Sequence, residues 1–160
     1  MRRRSQATAG SRAFASVLLV AYGLFIALVA YWPNPVDRSL RPRIDRVLAA
    51  FHRRDLFQWF GYDQLEWSSN VAFFVPLGLL LVLLLGGHRW WAAVVISVMV
   101  SCTIEAGQAL FLPARYATVD DLAANALGAL VGALAGALVL AGIQAKRRSR
   151  DRRARTRLAS

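Results

Sequence analysis

The stretch WWAAVVISVMVSCTIEAGQALFL, Trp90 to Leu112, decides the fold class. A helix needs about 20 mostly apolar residues to cross the hydrocarbon core of a bilayer. This run supplies them and contains a single charge, Glu105. Its polar side chains are ordered: Ser97, Ser101, Glu105 and Gln108 follow one another at steps of four, four and three, which places them in one stripe along a helix. A carboxylate in the membrane costs a few kcal/mol even on lenient scales, roughly 2.5–3.5 for Asp near the helix centre. Glu105 is therefore expected to face the protein interior or a wet cavity. At a rise of 1.5 Å per residue it lies roughly 10 Å below the Leu112 end of its helix.

Three further runs have the same character, and the predicted spans are residues 13–32, about 70–86, 90–112 and about 122–143. The expected fold class is all-α, an integral membrane four-helix bundle. Its transmembrane domain covers 13–145, between a basic cytoplasmic N-terminal tail (1–12) and a basic disordered C-terminal tail (146–160). The first run reads as an uncleaved anchor, because it is longer than a signal-peptide core and no small-x-small cleavage site follows it. Composition agrees. The chain of 160 residues is 57% hydrophobic with a mean hydropathy of +0.41, too apolar for a typical soluble domain.

The formal net charge is +11. The basic residues cluster beside apolar segments, so topology explains them and no nucleic-acid partner is expected. With both termini inside, Arg2, Arg3, Arg4, Arg12, Arg89 and the eight basic residues from Lys146 to Arg157 are cytoplasmic, thirteen against seven in the outer segments. This predicts a multi-pass protein of the bacterial cytoplasmic membrane with both termini in the cytoplasm. The first outer loop has its own pattern. Ile44, Val47, Leu48 and Phe51 recur at helical spacing opposite Arg43, Arg46, Arg53 and Arg54. It is expected to form an extra helix, either in the membrane interface or packed on the bundle.

One depth zone gathers polar residues from three spans. Glu66 and Asn70 precede the second span, Glu105 and Gln108 lie in the third, and Asp120, Asp121 and Asn125 open the fourth. Arg115, in the short connection before the fourth span, is the expected partner of Glu105, Asp120 or Asp121. Thr118 is a plausible N-cap with Asp121 three residues later, and acidic residues in a first turn suit the helix dipole. Capping does not explain Asn125. These eight residues are the candidate ligand-binding site. The competing reading is a purely structural network of interhelical hydrogen bonds, each worth about 0.6 kcal/mol. Intramembrane ionisable groups are by default functional-site candidates.

Other features are structural. Gly128, Gly132 and Gly136 repeat every four residues, so a neighbouring helix can approach closely, and the same face leaves room for a homodimer. Pro76 with Gly78 suggests a kink in the second span. The lone Cys102 excludes an intrachain disulfide, and neither His52 nor His88 has metal-ligand spacing, so no metal and no cofactor are expected.

The blocks EWSSNVAFFVPLG (Glu66 to Gly78), IEAGQ (Ile104 to Gln108), PAR (Pro113 to Arg115) and DDLAANALG (Asp120 to Gly128), in this order, resemble the VanZ family of bacterial membrane proteins. The family is named for an accessory protein of glycopeptide resistance associated with teicoplanin. The resemblance implies a cell-envelope role and maps the family motif onto the eight candidates. The first loop departs from the pattern, since it lacks the Lys-x-x-His of some members, and nothing is carried over to His52. The expected function is non-enzymatic: binding of an anionic or lipid-linked envelope precursor, or a lipoglycopeptide, at the outer face of the bilayer. The alternative is a membrane-embedded hydrolase or transferase acting on an envelope lipid, with Glu105 or Asp121 as acid or base. A proton-coupled transporter is disfavoured by a polar stripe that fades in the inner half, and a passive scaffold predicts that polar substitutions alter only abundance.

Overall fold

A computed structural model describes residues 2–32, 39–112 and 118–159. These residues form five α-helices: α1 (Arg2–Ala30), α2 (Arg41–His52), α3 (Tyr62–Leu85), α4 (Trp90–Phe111) and α5 (Val119–Ala159). A short 3-10 turn, Gly87–Arg89, joins α3 to α4. Four of the helices, α1, α3, α4 and α5, are long and apolar enough to cross a membrane. The expected all-α four-span bundle is present.

The helices α3 and α5 form the central pair, and glycine is the reason they can. A methyl group added at Gly128 would run into the carbonyl oxygen of Val71, at Gly132 into that of Val75, and at Gly78 into that of Ala129. Contact partners on both helices advance by four, so the two run parallel with their backbones nearly touching. Such proximity suits a membrane interior, where association relies on close packing and not on the expulsion of water. The glycine face is thus consumed within the chain, and a homodimer would have to use another surface. Gly78 belongs to this interface and is not needed as the hinge of a kink. The helix α3 runs unbroken through Pro76.

Around this pair, α4 contributes the small buried residues Ala93, Ser97 and Ser101, and α1 contributes Ile26. The α1–α3 seam is fixed by the Tyr22 hydroxyl, which donates to the Phe73 carbonyl at 2.7 Å, and by Phe25 stacked on Phe73. Phe14, Val17, Leu24, Met99 and Leu138 are exposed, as lipid-facing side chains of a bundle should be.

The helices run past three of the predicted segment boundaries. The helix α3 begins at Tyr62, eight residues before the predicted start of the second span at 70. The Gln64 side chain accepts the Gly61 backbone N–H at 2.8 Å, and Asp63 lies in the positive first turn. A hydropathy count overlooks those polar turns. At the N-terminal end, α1 starts at Arg2, ahead of the apolar run. At the other end, α5 continues to Ala159 where an irregular tail is expected after residue 145. No glycine or proline follows Gly142, and alanine, arginine and lysine are strong helix formers.

The helix α2 has apolar residues along one side and no buried residue. It stands off the bundle over the start of α3. Arg41 packs over the Tyr62 ring, 3.1 Å from its centroid. The chain after α2 folds back tightly, with Asp55 and Phe57 both in the left-handed region (φ 56° and 51°). His52 Nε2 meets the Phe60 carbonyl at 3.0 Å, so this histidine closes the loop.

Candidate functional site

The candidate site is built from the end of α4, the start of α5 and the first turns of α3. The helix α5 opens as its sequence predicts. Thr118 Oγ1 accepts the Asp121 backbone N–H at 3.1 Å and donates to Asp121 Oδ2 at 2.7 Å. That N-cap orients the Asp121 carboxylate, whose other oxygen accepts from Asn70 Nδ2 at 2.5 Å. Both Asp121 oxygens are thereby engaged, and the pair ties α3 to α5.

One turn further along α5, Asn125 is buried and donates through Nδ2 to Ser101 Oγ on α4 at 2.9 Å. Its Oδ1 is also buried and has no hydrogen-bond partner among the described residues. An acceptor left so costs about 1–3 kcal/mol, so it marks a place where a donor is wanted. On α4, Gln108 Nε2 donates to the Ala30 carbonyl at 2.8 Å. The last carbonyls of a helix lack intrahelical partners, and Gln108 satisfies that of the final residue of α1. Beside it, Gly107 leaves space for the Tyr31 ring, whose oxygen a methyl group at Gly107 would strike.

These residues surround one cavity of about 1040 Å³. Seven of the eight candidates line it: Glu66 and Asn70 from α3, Glu105 and Gln108 from α4, and Asp120, Asp121 and Asn125 from α5. Arg115, the eighth, lies outside the described residues, as does the rest of the connection 113–117. Glu105 is half-buried, with its Oε2 sealed from solvent, and it faces this cavity as the cost of burying a carboxylate among lipid requires. Ser97 and Ser101 continue the stripe below it, fully buried. Ser97 bonds back to the Ala93 carbonyl within its own helix.

The structure adds lining residues that the sequence reading omitted, chiefly Asp63, Trp59 and Trp67. Asp63, Glu66 and Asn70 are spaced by three and four, one helical face. That signal becomes readable once the helix is started at Tyr62. The described lining contains five carboxylates, Asp63, Glu66, Glu105, Asp120 and Asp121, and no lysine or arginine. Among the described residues, no three of His, Cys, Asp or Glu converge closely enough to hold a metal ion. The acids ring the cavity without clustering at one point.

The family model described as VanZ/LLP1 matches residues 14–140. Among curated proteins and among solved structures, none matches the chain. The matched stretch takes in the polar cavity and most of each of the four spans that build it, and the chain belongs to the VanZ-like family of membrane proteins.

Proposed function

We propose that this chain is a non-enzymatic binding module of the bacterial cytoplasmic membrane, with both termini in the cytoplasm and the polar cavity opening at the outer face. Its ligand is the polar head of an envelope component or of a lipoglycopeptide, and its action contributes to resistance against teicoplanin-type antibiotics. The observation that carries this reading is the convergence of seven polar candidates from three helices on one cavity. A structural network alone needs no open space between its members. Here the side chains surround a space large enough for a ligand.

Asn125 Oδ1, buried in the lining with no hydrogen-bond partner among the described residues, favours a ligand that donates a hydrogen bond. Binding is favoured over acid–base catalysis by Asp121, because both of its oxygens are already committed to Asn70 and Thr118.

The test is teicoplanin susceptibility of a sensitive bacterium expressing the wild-type chain, Glu105→Ala or Asp120→Asn, with membrane levels matched by blot. Protection by the wild type that is lost in Glu105→Ala and weakened in Asp120→Asn is the expected result. Equal protection by all three would make the cavity irrelevant to resistance, and protection by none would remove the antibiotic role.

A further inference from the structure

The helix α2 turns Ile44, Val47, Leu48 and Phe51 to one side, as their spacing of three and four requires, yet none of them is buried. They line a second cavity of about 620 Å³, whose wall Phe57 and Leu65 complete. That size falls within the roughly 300–1,000 Å³ of small-molecule sites. The wall is almost wholly apolar and contains no acid. Val47 and Phe57 remain 55% and 58% exposed, so the described chain does not cover this face of α2. Apolar side chains around an unfilled gap lack the contacts that hold a packed helix in place. Beside a bundle of four apolar spans, a lipid is the molecule at hand to supply them.

One edge of the cavity is basic. Arg43 lines it, and Arg46, three residues on, is the neighbour of Arg43 on the helix surface. Both are exposed, and among the described residues neither pairs with an acid. Arg46 uses only its Nε, which donates to the Pro42 carbonyl at 3.1 Å. Arg41 is different: it meets Asp45 at 3.6 Å and packs over the Tyr62 ring. Asp45, two residues from Arg43, faces away from it. Of the other acids near α2, Asp63 lines the polar cavity and Asp55 lines neither.

We propose that α2 holds an anionic phospholipid, its phosphate between Arg43 and Arg46 and one acyl chain in the apolar cavity. The covalent order of the lipid matches the order of the site. Val47, four residues after Arg43 and next to Arg46, lies between the basic edge and the cavity, where the glycerol backbone would pass. Guanidinium groups form charge-assisted bonds with phosphate, and a basic helix at the interface favours anionic lipid. A head group bearing an ammonium would bring like charge to the two arginines, with no acid in the cavity wall to meet it. An acyl chain in the bilayer is already in apolar surroundings, so moving it under α2 gains little free energy. The cavity therefore holds the lipid in register, and the arginines decide which lipid stays. This site does not rest on what the polar cavity binds, although Trp59 and Phe60 line both.

The experiment uses the full chain in nanodiscs of phosphatidylcholine. These contain the same small fraction of either phosphatidylglycerol or phosphatidylethanolamine with a photoreactive group in its acyl chain. Cross-linked residues are mapped by peptide mass spectrometry, and variants are compared at an unchanged thermal unfolding midpoint. In the wild type, residues 44–65 are expected to be labelled roughly tenfold more by the phosphatidylglycerol probe, the equivalent of about 1.4 kcal/mol. Arg43→Gln with Arg46→Gln should bring that labelling down to the phosphatidylethanolamine level. Arg152→Gln with Arg153→Gln removes the same charge from the far end of α5 and should leave it unchanged. Leu48→Trp and, separately, Ile44→Trp should fill the cavity and lower labelling by both probes. Equal labelling by the two probes in the wild type would overturn the proposal. So would labelling unchanged in the Arg43 and Arg46 double variant, an equal fall in the α5 variant, or labelling unchanged in both tryptophan variants.

Discussion

Asp121 shows how one side chain can serve the fold and the site together. It accepts from its own N-cap, Thr118, and from Asn70 on a different span, and it still lines the polar cavity. Replacing Asn70 by Asp would set a second carboxylate at hydrogen-bond distance from the first and remove the donor between them. Asn70→Asp is expected to lower the thermal unfolding midpoint in detergent, with a loss on the order of 1–3 kcal/mol; Asn70→Ser, a smaller hydroxyl donor, should lose less. Gln108 carries a similar load. Gln108→Leu would strand the Ala30 carbonyl at the end of α1 and is expected to cost about 1–3 kcal/mol in the same assay. At this scale the sequence was informative where helical periodicity is strict: Ser97, Ser101, Glu105 and Gln108 share a face because their spacing demands it. It was silent on Trp59 and Asp63. The first sits in a loop whose left-handed turns at Asp55 and Phe57 have no glycine to announce them, and the second sits in a polar helical turn.

At the scale of elements, the α3–α5 pair is the part of the bundle most sensitive to small volumes. A single methyl at Gly132 would collide with the Val75 carbonyl and press on the backbone of Leu79. Gly132→Ala is expected to destabilise the bundle by about 1–3 kcal/mol through overpacking. Gly142→Ala, where a methyl group meets nothing within 4 Å, should be neutral or slightly stabilising. Parallel detergent-denaturation curves check the contrast. The four-residue glycine repeat was legible as a close-approach face; its partner was not, because a repeat on one helix does not name the helix that fills it. The extent of α5 was also hidden. Hydropathy reports where a helix leaves the apolar core, but alanine, arginine and lysine carry the helix on after the apolar residues end.

For the whole molecule, the four spans among the described residues would return the C-terminus to the side of the N-terminus, and the positive-inside rule predicts that this side is the cytoplasm. The helix α5, with 41 residues, is roughly 62 Å long at 1.5 Å per residue, about twice the hydrocarbon thickness. Its basic end therefore projects well beyond the bilayer. Deleting residues 146–160 removes eight basic residues and leaves five on the predicted inner side against seven outside. The truncated chain is expected to insert in mixed orientations, visible as split activity of a reporter fused to its end. The fold class was fully legible at this scale because apolar length alone dictates it. The cavity was legible only as a depth zone, since its walls depend on where α2 and the loop after it come to rest.

The proposed polar cavity opens outward between three spans, and substituted-cysteine labelling tests this most directly. In a Cys102→Ser background, Glu66→Cys, Asp120→Cys and Ser149→Cys are each exposed in intact cells to a membrane-impermeant maleimide. Glu66→Cys and Asp120→Cys are expected to label from outside, and Ser149→Cys only after the membrane is permeabilised. Labelling of Glu66→Cys and Asp120→Cys only after permeabilisation would place the cavity on the cytoplasmic side and contradict the outward-facing site.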